Sequence, residues 1–271
     1  MKLPEWLKNF GLTGERRAIA LLALCLLMAF YLVVGLGSVI NGEPVAPYMM
    51  AMSAVYLVAF FSLGAEWFWA RWFASGLAWS GFSMALYGLL SLVRVREQLP
   101  PELLQIVLIF FAVLGGLHGL IGVALLGPRV GERYNGRDDW RKRWQLDDQG
   151  ALKVRSAVTR AANALPMLIA LTLAPGQESM AGAAAFSLSV IGLIALLRGR
   201  ALGVLALGTA GITVIVGGLA HPMHLAIAMP GSASPLVPAS FMIGLPFLAG
   251  ALLLAAVAPF VRPVAAHLAR R

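Results

Sequence analysis

The stretch Ala201–Val261, ALGVLALGTAGITVIVGGLAHPMHLAIAMPGSASPLVPASFMIGLPFLAGALLLAAVAPFV, runs 61 residues without a charge. A helix needs roughly 20 apolar residues to cross about 30 Å of hydrocarbon, so this window is too long for one span and must turn inside. The turn signals are His221-Pro222 and the run Pro230-Gly231-Ser232-Ala233-Ser234-Pro235, with Pro238 after it. Proline lacks a backbone donor and gathers where helices stop. The window therefore divides into spans near Ala201–Ala220 and Ala239–Val261.

Working back towards the N-terminus, six further uncharged windows appear: Ala18–Gly42, Pro44–Ala65, Trp72–Val93, Leu103–Pro128, Ala161–Gln177 and Ser179–Leu197. The fifth is short and holds Pro166, so its helix is expected to begin near Ala157, with Arg160 snorkelling towards headgroups. The leader Lys2–Arg17 is long, and the apolar run after it exceeds the 7–15 residues of a signal peptide core, so the first span is read as uncleaved. The expected fold is an all-α polytopic transmembrane helix bundle of about eight spans.

Composition agrees. Of 271 residues, 60% are hydrophobic and 12% charged, against about 45–50% and about 25% in soluble domains. Disorder is excluded by that apolarity. A disulfide scaffold is excluded because Cys25 is the only cysteine.

Lys and Arg are retained on the cytoplasmic side of spans. With the N-terminus inside, inner segments hold 19 of the 21 basic residues, and only Arg94 and Arg96 lie outside. Glu43, Glu97, Glu102 and Glu178 lie outside and the other eight acidic residues inside, so the net charge is 19 − 8 = +11 inside and 2 − 4 = −2 outside. Both termini are thus expected in the cytoplasm and the chain in the cell inner (plasma) membrane. Trp6, Trp67, Trp69, Trp72, Trp140 and Trp144 fall in or beside inner segments, where aromatic belts sit, and Trp79 alone lies deeper.

The organisation read from these windows is one membrane domain. Residues 1–126 form a first four-helix group, 127–163 a basic cytoplasmic loop, and 164–271 a second group. Within the loop, Asp138 and Lys142, Asp139 and Arg143, and Trp140 and Trp144 are four apart, as on one helix surface. Leu3, Trp6, Leu7 and Phe10 have helical spacing and suggest a short interfacial helix, and Thr13 is placed to cap the first span.

Ionisable groups inside a bilayer are functional suspects. His118 is the one histidine well inside a span. It suits a proton relay or substrate contact, or the plainer role of a hydrogen bond between helices. Glu66, at the end of the second span, is a gate or proton-accepting carboxylate, or else pairs locally with Arg71 in an aromatic interfacial turn. On the outer face His221, Met223 and His224 have donor atoms for a soft metal, but no Cys, Asp or Glu completes the set. Depth along the spans, at about 1.5 Å per residue, separates His118 from His221, so the two are not partners for one haem, and no haem or metal is expected at His118 or at His221 and His224. Gly115, Gly119 and Gly122, and Gly208, Gly211, Gly217 and Gly218, are small residues that let helix backbones approach, within the chain or against other copies or membrane subunits.

Arg129, Arg133, Arg137 and Arg141 recur every four residues, with Lys142 and Arg143 beside them. Topology explains this basic run as binding to anionic lipid headgroups rather than to nucleic acid. Ser80–Gly88 locally resembles the Ser-Gly segment of rhomboid intramembrane proteases, but the match covers nine residues of 271 and the span runs against that family's direction. No P-loop, zincin or dinucleotide fingerprint occurs. The sequence therefore points to a non-enzymatic permease-like protein, or a membrane subunit of a larger complex, handling a small neutral or lipidic solute. The alternative is an enzyme acting on lipid at the interface, with Glu66, Arg71, His221 and His224 as its groups.

Overall fold

A computed structural model of the chain describes residues 13–127, 130, 147–173, 179–220 and 239–268. Among these there is no strand. The helices are α1 (Thr13–Ile40), α2 (Ala46–Gly64), α3 (Ala70–Val95), α4 (Pro101–Ala124), α5 (Asp148–Leu173), α6 (Met180–Leu197), α7 (Leu202–Ala220), α8 (Ala239–Val257) and the short α9 (Val261–Leu268). Eight are long and apolar enough to cross a membrane by length and composition, the last as Gly244–Pro263. Their outward faces carry large apolar side chains such as Val33, Phe61, Ile106, Val113 and Leu219, all more than half exposed. Such a surface is costly in water and suits hydrocarbon.

Successive long helices run antiparallel. Within the first four, α1 packs on α2 and on α4, and α3 packs on α4. Within the second four, each packs on the next, and α8 returns to α5. The joint between the groups is α3 against α5. Gly76 makes it close: a side-chain carbon there would overlap the Thr159 carbonyl oxygen and the Ala162 methyl. Ala151, Ala157, Ala161, Ala162 and Ala164 of α5 are all buried, which lets neighbours approach this helix on several sides.

One expectation is corrected here and another is sharpened. α5 begins at Asp148, not near Ala157, so the helix runs back through part of the segment expected to be loop. The early turns are helical because Ala151, Val154, Ala157 and Val158 are buried at helical spacing, while Lys153 and Arg155 face outward. Arg160 has a partner within the protein. Its guanidinium donates to the Ala255 carbonyl in the last turn of α8, at 2.6 Å. A helix end has carbonyls without helical partners, and Arg160 is within reach of one.

The small-residue motifs fall at helix contacts. Gly119 faces the Phe82 ring and Gly122 the Trp79 ring across α3–α4, and Gly211 approaches the Gly250 carbonyl across α7–α8. Thr13 is the first described helical residue. The interfacial turns expected around residues 4–10 and 138–145 lie outside the described residues.

Candidate functional site

The site grows from His118. It is 1% exposed and sits on α4 with nothing charged beside it in the cavity. Its Nδ1 lies 2.7 Å from the Leu114 carbonyl oxygen, one turn back. A carbonyl only accepts, so Nδ1 carries the proton. No acidic residue among those described lines the cavity to balance an imidazolium, so the ring is neutral, Nε2 is the acceptor, and the Tyr56 hydroxyl on α2 donates to it at 2.5 Å. The result is a neutral imidazole held at both nitrogens, with the tautomer fixed by its partners.

Two glycines on α3 make room for this arrangement. A side-chain carbon at Gly81 would overlap the His118 ring, and one at Gly88 would overlap Phe111. Both glycines face α4, seven residues apart on α3, against residues seven apart on α4. Tyr31 of α1 stacks on Tyr56, with ring centroids 5.4 Å apart and planes 9° from parallel. The Tyr56 ring meets the His118 ring edge-on at 5.7 Å.

These groups line a cavity of about 180 Å³ between α1, α2, α3 and α4, with Pro166 of α5 on one side. Tyr31, Tyr48, Tyr56 and Tyr87 line it, as do Met49, Met52 and Met84. Among the described residues that line it, none is acidic, and none is basic apart from the neutral His118. An apolar cavity of about 150 Å³ holds a benzene ring. This one has room for a group of about that size, in walls of aromatic faces and thioethers with a few hydroxyls.

A second polar cluster ties the helices at the other end of the group. Arg17 on α1 forms an ion pair with Glu66 at 2.5 Å and also donates to the Gly64 carbonyl. Arg71 donates from Nε to Leu125 and from Nη2 to Gly127, both at 2.7 Å, and Arg16 donates to Leu126 at 3.0 Å. Three arginines thus hold the end of α2 and the carbonyl end of α4. Sequence reading joins Glu66 to Arg71, its neighbour in the turn. Glu66 also has an ion pair with Arg17, brought there by the antiparallel α1–α2 contact, and Arg71 reaches the carbonyls that follow α4.

Glu66 is also conformationally unusual. Its φ is +56°, the single positive φ at a non-glycine among the described residues. Its N–H bonds to Leu63 and that of Trp67 to Ser62, the pattern of a left-handed helix cap usually given to glycine. A side chain costs energy there, and here that side chain is the one that reaches Arg17.

Three of the residues singled out by sequence are therefore placed: His118 in the tyrosine cavity, Glu66 and Arg71 in the arginine cluster. The remainder, His221, Met223 and His224, and the basic run Arg129, Arg133, Arg137, Arg141, Lys142 and Arg143, lie outside the described residues. No cluster of potential metal ligands occurs among the described residues. Sequence reading misses the tyrosines. A signal is there: four of the five in the chain lie within or at the edge of uncharged windows, away from the charged segments between spans, where aromatic anchors gather. Comparison with protein-family models, curated proteins and solved structures finds no match to the chain.

Proposed function

We propose that this protein is a permease-like integral protein of the cell inner membrane, with both termini in the cytoplasm, that binds a small neutral amphipathic solute in the tyrosine cavity. The observation that carries this reading is the cavity itself. It lies within the bundle, is about one aromatic ring in size, and has the Tyr56–His118 pair in its wall. A purely structural subunit has no need of a cavity with a Tyr–His pair in its wall. The absence of charge in its lining fits a neutral solute, because a charged one would lack a partner in low dielectric.

The arrangement is two-ended. The arginine cluster ties α1, α2, α3 and α4 at one end, and the cavity extends from His118 towards Tyr48, near the start of α2 at the other end. A site inside the bundle with a polar closure beyond it is what alternating access requires. Glu66 and Arg17 are then the closure, and the cluster serves gating rather than chemistry.

The experiment is solute binding to purified protein in nanodiscs, read by tyrosine and tryptophan fluorescence and by thermal shift, across a panel of neutral ring-sized amphiphiles. At least one member is expected to bind, and Met84→Trp, which fills the cavity, is expected to weaken that binding at least about tenfold, a loss of about 1.4 kcal/mol. If no member binds, or if Met84→Trp binds as well as the natural chain, the reading fails. Flux of the same solute across proteoliposomes then separates a permease from a binding subunit.

A further inference from the structure

A second cleft, of about 430 Å³, lies where the start of α3, the end of α4 and the first turns of α5 meet. Its lining is unlike that of the tyrosine cavity. Arg71, Arg155 and Arg160 bring positive charge, and Ser75, Ser156 and Thr159 bring hydroxyls. No acidic residue lines it among the described residues.

Two of the arginines are already held in place. Arg71 spans the carbonyls of Leu125 and Gly127, and Arg160 donates to Ala255. Their charges are therefore positioned before anything binds, at little further entropic cost. Arg155 is exposed at the rim and offers a planar donor fork. Fixed guanidinium groups with nearby hydroxyls match a tetrahedral oxyanion, whose oxygens accept from both.

The opposite side of the cleft decides the source of that anion. Trp79, 37% exposed, lines the deeper side, and Leu152, 60% exposed and one turn nearer the start of α5 than Arg155, lines the mouth. Trp79 lies eight residues beyond Arg71, about 12 Å further along α3. The cleft thus grades from charge to outward-facing apolar surface over the depth of a headgroup and the top of a chain. A soluble anion has no use for that second half. It also accounts for Trp79, the one tryptophan deeper in a span than the rest.

We propose that this cleft binds an anionic phospholipid, with its phosphodiester on Arg71, Arg155 and Arg160 and the start of an acyl chain along Trp79. The occupant would lie against the α3–α5 joint, and so bridge the two four-helix groups. This goes beyond the solute reading above and stands independently of it.

The test is native mass spectrometry of the full chain released from an equimolar mixture of phosphatidylglycerol and phosphatidylcholine. One phosphatidylglycerol per chain is expected to stay bound. Arg155→Glu is expected to lower its retention about tenfold or more, since reversing one charge near the surface counts twice. Arg198, exposed beside the turn between α6 and α7, supplies the control, and Arg198→Glu is expected to leave retention unchanged. Because Arg155 is exposed, its replacement leaves packing intact, and an unchanged melting temperature without lipid checks this. Equal loss from both variants, equal retention of both lipids, or displacement by millimolar inorganic phosphate would each overturn the proposal. The last outcome would assign the cleft to a soluble anion.

Discussion

Gly81 determines whether His118 can stand where it does. The ring lies over the glycine, and no room remains for a methyl group. Gly81→Ala should therefore push the imidazole aside, break its bond to Tyr56 and destabilise the protein by about 1–3 kcal/mol, the usual cost of overpacking. Gly116, on α4 two residues before His118, faces open space, so Gly116→Ala should be neutral. Thermal unfolding in one detergent compares the two directly, and equal melting temperatures would refute the packing account. Tyr56→Phe removes only the hydroxyl, and interhelical hydrogen bonds in membranes are worth about 0.6–2 kcal/mol. It should lower stability by about 1 kcal/mol and weaken solute binding more than that loss of stability alone implies, which a titration would reveal. His118 is legible in the sequence because a lone histidine in an apolar run stands out. Tyr56 is not, because the two residues are 62 apart and nothing local links them.

At the scale of the element, the end of α2 holds a testable conflict. Glu66 adopts a glycine-like backbone conformation and also carries the carboxylate that Arg17 needs. Replacing it separates the two effects. Glu66→Ala loses the ion pair and keeps the backbone strain, whereas Glu66→Gly loses the ion pair and relieves the strain. Glu66→Gly should therefore be the less damaging of the two by about 1 kcal/mol. If alanine is tolerated as well as glycine, the strain argument is wrong. A double-mutant cycle over Arg17→Gln and Glu66→Gln should show coupling of about 0.5–3 kcal/mol, because removing either partner leaves the other charge buried. The sequence locates this turn from its aromatics and charges. It does not bring Arg17 to Glu66, since that pairing depends on which helix lies alongside. The start of α5 is hidden for a related reason. Polar residues at 148–155 look like loop when counted as a window, yet their alternation with Ala151, Val154 and Ala157 buries one face of a helix.

For the whole molecule, orientation is the leading prediction. With Cys25 replaced by Ala, a cysteine introduced at Asn41 should react with an impermeant maleimide in intact cells, and one at Arg198 only after lysis. The reverse pattern would invert the topology and move the phospholipid cleft to the other leaflet. The number of spans is legible because the cost of placing charge or unpaired backbone in hydrocarbon leaves its trace in every window of the chain. The same cost marks where the helices stop and which residues are polar exceptions. Partnerships leave no such trace. Lipid tails are as apolar as the side chains, so hydrophobicity does not say which helix face meets which. That is settled by close contacts: Gly76 on Thr159, Gly81 on His118, Gly88 on Phe111. Sequence alone thus determined that this chain builds eight apolar helices with few charges among them. Only the tertiary structure decided that four tyrosines and a histidine enclose one cavity, and that three arginines line one cleft, because each set is drawn from helices far apart in the chain.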